Sequence, residues 1–364
     1  MQDARSSTLL EAQEGFSFLG SEVGYRMRLQ TRTFLALAMM AALSGCGGSS
    51  LDRMASSAAS VSIPTSARRH SILPPSPVRL PMTTVFKGQS KFGALVARAE
   101  REDWRSLPLG ERTVRAARAM TGIPYKNYSL EVDNHVENPV VDFTGMDCWT
   151  FYENALAFAR MLRYKPGPYT PEDMLHMIEI ERYRGGRCTG NYLSRMHHLE
   201  EVFYDNQRRG YATNVTPSLP GAVRLRREIR EMSVSWKSYR YLRNNPSLRP
   251  EMGRIEGRVS KLPVYHVPKS KVRAIEGKLR DGDICAITTN WKYGYTSHVG
   301  LIVKIKGRAY FTHATSDRSK GRKTIVDRPI TDYLRGSSKH AGIVVCRPKD
   351  LPPSPMWQRE VAGR

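Results

Sequence analysis

"SHVGLIVKIKGRAYFTHAT", residues 297–315, holds two apolar-rich runs separated by Lys306-Gly307. Period-two alternation marks a half-buried strand, and two such runs around a short polar break read as a β-hairpin. On the first strand His298, Gly300 and Ile302 share one face. If the turn has two residues, Ile305 pairs with Arg308 and His298 stands opposite Thr315. His313 is then a diagonal neighbour of His298 on the same face, within side-chain reach. A turn of odd length would put the two histidines on opposite faces.

The surroundings of this hairpin set the fold class. "GKLRDGDICAITTN" (277–290) and "AGIVVCRP" (341–348) are further short β-rich runs bounded by Gly, Asp and Asn. Upstream the texture is helical: "FGALVARAERE" (92–102) and "LGERTVRAARAMTG" (109–122) carry apolar residues at helical spacing, the second ending at Gly122 as a C-cap would. "AVRLRREIREMSVSWKSYRYLRNN" (222–245) reads as one or two strongly basic helices, a solvated charged face being its plainest meaning. Helices first and an antiparallel sheet after them is the α+β pattern. No boundary separates two domains inside residues 92–348, and residues 349–364 read as a tail.

The strongest single helix is "VDFTGMDCWTFYENALAFARML" (141–162), and it places a cysteine on its first turn, directly after the N-cap candidate Asp147. Backbone N–H groups point outward unpaired there, and the macrodipole favours a thiolate. A cysteine so placed is expected to be acidic and nucleophilic, with the same N–H groups ready to hold an oxyanion. It needs a base. His298 and His313 supply one candidate, with one imidazole exchanging protons with the thiol and the other orienting it, a Cys–His–His arrangement. The alternatives are a buried structural cysteine and two unrelated strand histidines.

The rival cluster is His197-His198 with Cys188. Adjacent histidines diverge on helix or strand, and no Cys-x-x-Cys or His-x-x-x-His spacing accompanies them, so no metal site is expected. His70, His135, His176, His266 and His340 have no partner visible in the sequence. Cys285 and Cys346 lie in apolar strand-like runs as core residues, with a bridge between them as the other option.

The chain has 364 residues and a formal charge of +23, a field that favours polyanions such as nucleic acid, anionic lipid or an acidic cell-envelope polymer. The N-terminal region narrows these. "RMRLQTRTFLALAMMAALSGCGGSS" (26–50) has a basic stretch, an apolar run too short to span a bilayer, and small residues, the layout of a secretory signal. "LSGC" resembles a bacterial lipobox, which makes Cys46 the lipidated residue and Met27 the expected start of the signal. Gly47 fits sorting to the outer membrane, facing the periplasm. Residues 47–91, rich in Ser, Ala and Pro, read as a flexible tether. Export and the lack of a basic motif interleaved with aromatics weigh against nucleic acid as partner.

Six segments in one order, "TGIPYKN…SLE", "FTGMDCWTFYENALAFAR", "ERYRGG…NYLSRMHHLEEVFYDN", "LRDGDICAITT", "SHVGLIV" and "FTHAT…GIVVCRP", resemble the bacterial N-acetylmuramoyl-L-alanine amidase-like family. That family is a branch of the NlpC-type cell-wall cysteine hydrolases, and the likeness runs from about Thr113 to Pro348. It implies a papain-like α+β core with helical insertions, no cofactor, no metal and a monomer acting on peptidoglycan or muropeptides. It makes Cys148 the nucleophile, His298 the general base and acid, and His313 the orienting member. It also implies substrate contacts at Tyr125, Glu131, Asp147, Trp149, Arg184 and Arg195, the two arginines meeting peptide carboxylates or, equally, serving as structural ion pairs. Trp149 is bulkier than the family's usual aliphatic residue after the nucleophile. The bond cut is the muramoyl–alanine amide or, one step further in, the bond after D-glutamate. A non-catalytic envelope-binding lipoprotein is the reading from another class.

Overall fold

The computed structural model describes residues 72–354; the expected export signal, Cys46 and residues 355–364 lie outside the described residues. The helices that matter for the site are α1 (Gln89–Arg101), α2 (Leu109–Ala119), α3 (Cys148–Tyr164), α4 (Pro171–Arg182), α5 (Leu199–Arg208), α6 (Arg249–Val259) and α7 (Ile330–Arg335). The main strands are β1 (Ile284–Thr289), β2 (Thr296–Ile305), β3 (Arg308–Ala314), β4 (Thr324–Pro329) and β5 (His340–Pro348). They form an antiparallel sheet in the order β5-β1-β2-β3-β4, extended beyond β5 by the short strands Tyr265–Pro268 and Val223–Arg224. Ala212–Asn214 pairs with the far end of β5. The fold class is α+β, as expected, although three short strands arise within the stretch read as helical.

The hairpin turn has two residues. Ile305 pairs with Arg308, and both Lys306 and Gly307 have positive φ (+48° and +79°), the backbone that matches the right-handed twist of the flanking strands. The even register therefore holds, and His298 and His313 share a face. Both sheet faces are covered. Val299, Leu301, Ala286, Val344 and Cys346 pack with α2, α3 and α4, while Cys285, Ile287, Ile302, Phe311 and Val345 pack with Val272, Ile275, Ile330 and Leu334. On β5, Val345 rather than Cys346 pairs with Cys285, so the two cysteines belong to opposite cores and both thiols are free. No bridge joins them.

Every residue of α3 except Arg163 is buried, so the helix runs through the middle of the domain. A helix buried all round must satisfy its polar side chains internally. Arg160 donates to Glu181 and to the carbonyls of Tyr211 and Lys349, and Glu153 accepts from Arg182 and from the Trp149 indole.

Two boundaries differ from the sequence reading. Order begins before Phe92: Phe86–Lys87 pairs in parallel with Val141–Asp142, and Val85 and Phe86 are core residues. At the other end Leu351 is buried, Asp350 pairs with Arg112, and Ser354 donates to the Tyr164 carbonyl. Residues 222–245 also depart from one or two helices, breaking into a short strand and separate short turns. The turns are Glu231–Val234, Trp236–Ser238 and Arg240–Asn244, and Glu256 of α6 captures the otherwise unpaired first-turn N–H groups of Met232 and Ser233.

That capture buries acids together. Burial pushes Glu231 up to about 8, with Glu200 and Glu256 adding repulsion and the Tyr239 hydroxyl opposing it. A carboxyl that binds its proton more tightly folded than unfolded stabilises the fold most at low pH, and that stability is lost as pH rises from its ordinary 4.5 towards 8. Glu231→Gln should therefore flatten the fall of Tm between about pH 5 and pH 8, read by thermal melts. The slope is reduced and not removed, since buried Glu200 is raised to about 7 in the same way.

Candidate active site

The N-terminus of α3 is built by its cap. The Asp147 carboxylate accepts from the Thr150 N–H (2.8 Å) and the Thr150 hydroxyl accepts from the Asp147 N–H (3.1 Å), a reciprocal capping box, with the Ser129 hydroxyl on the other Asp147 oxygen (2.7 Å). Asp147 thus fixes where the helix starts and places Cys148 at its first position. Cys148 is 6% exposed and borders a cleft of about 410 Å³ together with Tyr125, Ser297, His298, Thr315, Lys320, Arg328, Tyr333 and His340. The thiol is not sealed in the core.

Its electrostatics correct the expected resting thiolate. Burial pushes the Cys148 thiol up to about 12, the Asp147 charge adds to this, and the N–H groups of Val299, Cys148 and Trp149 only partly offset it. The helix terminus loses to desolvation here. Burial likewise holds His298 well below 6.5, helped by the nearby His313, His340 and Lys320. Both shifts favour the neutral form, for the thiol and for the imidazole that borders the same cleft.

The β2–β3 hairpin makes the second half. The His298 Nε2 and His313 Nδ1 atoms are 2.7 Å apart with the rings nearly perpendicular, and His313 Nε2 lies 3.3 Å from Asp327 Oδ2. A bulge between β1 and β2, where Ile287 pairs with His298 but Thr288 with Thr296, bends the start of β2 beside the cleft. Phe311 stacks on His313, and Tyr333 of α7 lies parallel to both His298 and His340. With Nε2 engaged, Nδ1 is the His298 nitrogen left for another partner.

Gly300, two residues along β2 from His298, has no room for a side chain. A Cβ there would lie 2.4 Å from the Thr312 carbonyl oxygen and 2.7 Å from the Phe311 ring. Gly300→Ala should displace the hairpin and lower kcat/KM by about 10²-fold, beyond what its thermal melt accounts for.

The remaining sequence candidates divide. Tyr125 borders the cleft, held there by its N–H on the Arg322 carbonyl and a bridge to Met146. Trp149 is buried with its indole N–H on Glu153 (2.7 Å), so its bulk goes into packing and not into the cleft lining. Glu131 accepts from Tyr192 and pairs with Arg195. Arg195 also pairs with Glu137 at 3.1 Å and covers the Tyr192 ring. Arg184 grips both oxygens of Glu201 (2.5 and 2.9 Å). Both arginines hold protein carboxylates and neither lines the cleft, which matches the ion-pair option of the two the sequence left open. Asp327, Lys320, Arg328, Tyr333 and His340 were missed. His197 bonds the Tyr192 carbonyl, and among the described residues no group of side chains could hold a metal ion.

A family described as N-acetylmuramoyl-L-alanine amidase-like matches residues 115–343. An N-acetylmuramoyl-L-alanine amidase from Bacteroides uniformis is similar at 28% identity and TM-score 0.59, over 66% of this chain and 99% of that one. A candidate xylanase from Bacteroides fragilis is similar at 29% identity and TM-score 0.56, over 64% and 99%. A Legionella pneumophila protein shares the fold at 17% identity and TM-score 0.52, over 73% and 96%. No curated protein matches. With the match spanning α3, the hairpin and the start of β5, the chain belongs to the N-acetylmuramoyl-L-alanine amidase-like family.

Proposed function

We propose that the protein is a papain-like cysteine hydrolase that cleaves the amide between N-acetylmuramic acid and L-alanine in peptidoglycan fragments, at a cell envelope to which lipidated Cys46 anchors it. The observation that carries this reading is the shared cleft: the first residue of α3, Cys148, borders it with His298, whose far nitrogen is bonded to His313. His298 Nδ1 takes the thiol proton as the sulfur attacks the amide carbonyl. The Cys148 N–H, at the open end of the helix, holds the oxyanion. The imidazolium then protonates the departing alanine nitrogen as the C–N bond breaks. Water, deprotonated by His298, cleaves the thioester and restores the thiol.

Lys320 and Arg328 line the cleft with Asp317, and both cations are paired with Asp327. Digestion of defined muropeptides, read by mass spectrometry, tests the proposal. A free lactyl carboxylate on the sugar and a peptide beginning with L-alanine are expected. An Ala–Glu dipeptide left on the sugar would assign the endopeptidase reaction instead, and no cleavage with binding retained would assign a binding lipoprotein.

A further inference from the structure

The hydrogen-bonded chain does not stop at His313. Asp327 closes it, and Asp327 stands where it does because β4 is irregular. Thr312 pairs with Val326, but Tyr310 pairs with Pro329, so β4 carries an extra residue just at Asp327 and Arg328. Such a bulge re-aims a side chain. The Asp327 side chain is largely buried, and three groups converge on it: His313 Nε2 and Lys320 Nζ on Oδ2, and Arg328 Nε on Oδ1 at 3.1 Å.

A carboxylate between two cations has no proton to donate and can only accept. His313 must then carry its hydrogen on Nε2, which leaves its Nδ1 bare. A bare Nδ1 at 2.7 Å obliges His298 to donate from Nε2, which leaves the His298 Nδ1 bare in turn. We propose that Asp327 is a positioning residue which, through His313, fixes the tautomers of both imidazoles so that His298 presents an unprotonated Nδ1 to the Cys148 thiol. The inference rests on the cysteine-hydrolase reading and adds a fourth member to it, two imidazoles away from the sulfur. Lys320 and Arg328 have a role under it, since they keep the carboxylate charged when His298 takes up a proton. The imidazolium formed in the reaction is then balanced by a fixed anion at the end of the chain.

The test is the side-chain nitrogen spectrum of 15N-histidine in the folded full chain, recorded with kinetics on muropeptide for wild type and Asp327→Asn. The wild type should show His298 and His313 both protonated on Nε2 and bare on Nδ1. Asparagine, which both donates and accepts, should give mixed tautomers at both rings and lower kcat by about 10²-fold with KM nearly unchanged. Loss of the anion should also move the acid limb of the kcat profile to lower pH, a shift that mere loosening would not produce. Wild-type His298 protonated on Nδ1 would overturn the inference even if the variant did not fold. So would Asp327→Asn with wild-type tautomers and wild-type kcat. Activity that survives Cys148→Ala would sink the hydrolase mechanism instead, while the tautomer measurement still decides the role of Asp327.

Discussion

Cys148→Ala is expected to remove muropeptide hydrolysis by about 10⁴-fold or more, while the variant melts within a few degrees of the wild type. The reason for the first half is that no other described thiol borders the cleft, so nothing replaces the covalent step. The second half follows from the site: the change deletes one sulfur at the mouth of a cleft, and the cap that starts α3 belongs to Asp147 and Thr150. Cys148→Ser should be nearly as inactive, because an alcohol is harder still to deprotonate than this buried thiol. Under the proposed mechanism the neutral imidazole is the working form of His298. Burial holds its pKa well below 6.5, so kcat should stay flat as pH falls through neutrality and drop only in clearly acid solution. A pH series on defined muropeptide reads this directly. An acid limb at or above 6.5 would mean that His298 is not the base.

The largest stability effect is expected at Arg182. Its guanidinium meets Glu153 at 2.6 Å with both side chains wholly buried, and Glu153 in turn holds the Trp149 indole. Arg182→Ala strands a carboxylate in the core, and burial already pushes Glu153 upward against the pull of Arg182. Removing one partner of such a pair costs about 3–5 kcal/mol, or about 10 °C in Tm for a domain of this size. Replacing both partners with apolar residues should recover much of that loss, because the penalty comes from the orphaned charge. A double-mutant thermal series distinguishes this from simple loss of packing. If Arg182→Ala melts like the wild type, the buried pair is not what keeps α4 on α3.

Much of the site was legible because it is local. Lys306-Gly307 sets the hairpin register, register sets the faces of His298 and His313, and Asp147 marks the start of α3. What was illegible depends on partners far along the chain. Cys285 and Cys346 look alike in sequence, and only the pairing of Val345 with Cys285 sends them to different cores. For Arg184 and Arg195 the sequence left substrate contact and ion pair equally open, because Glu201, Glu131 and Glu137 come to them from separate segments. Asp327 was hidden by a one-residue irregularity that no periodicity announces. The thiol's ionisation was misjudged for another reason. The sequence shows the helix end that favours charge but not the depth of burial that opposes it.

The separation of Cys285 from Cys346 has a practical corollary for anyone handling the protein. Four described sulfhydryls stay reduced, and Cys188, Cys285 and Cys346 are 0–1% exposed against 6% for Cys148. A small alkylating probe should therefore mark one position per native molecule among them and count competent enzyme stoichiometrically. Because that sulfur is protonated at rest, the labelling rate would gauge how readily its neighbouring imidazole withdraws the proton, with no glycan needed.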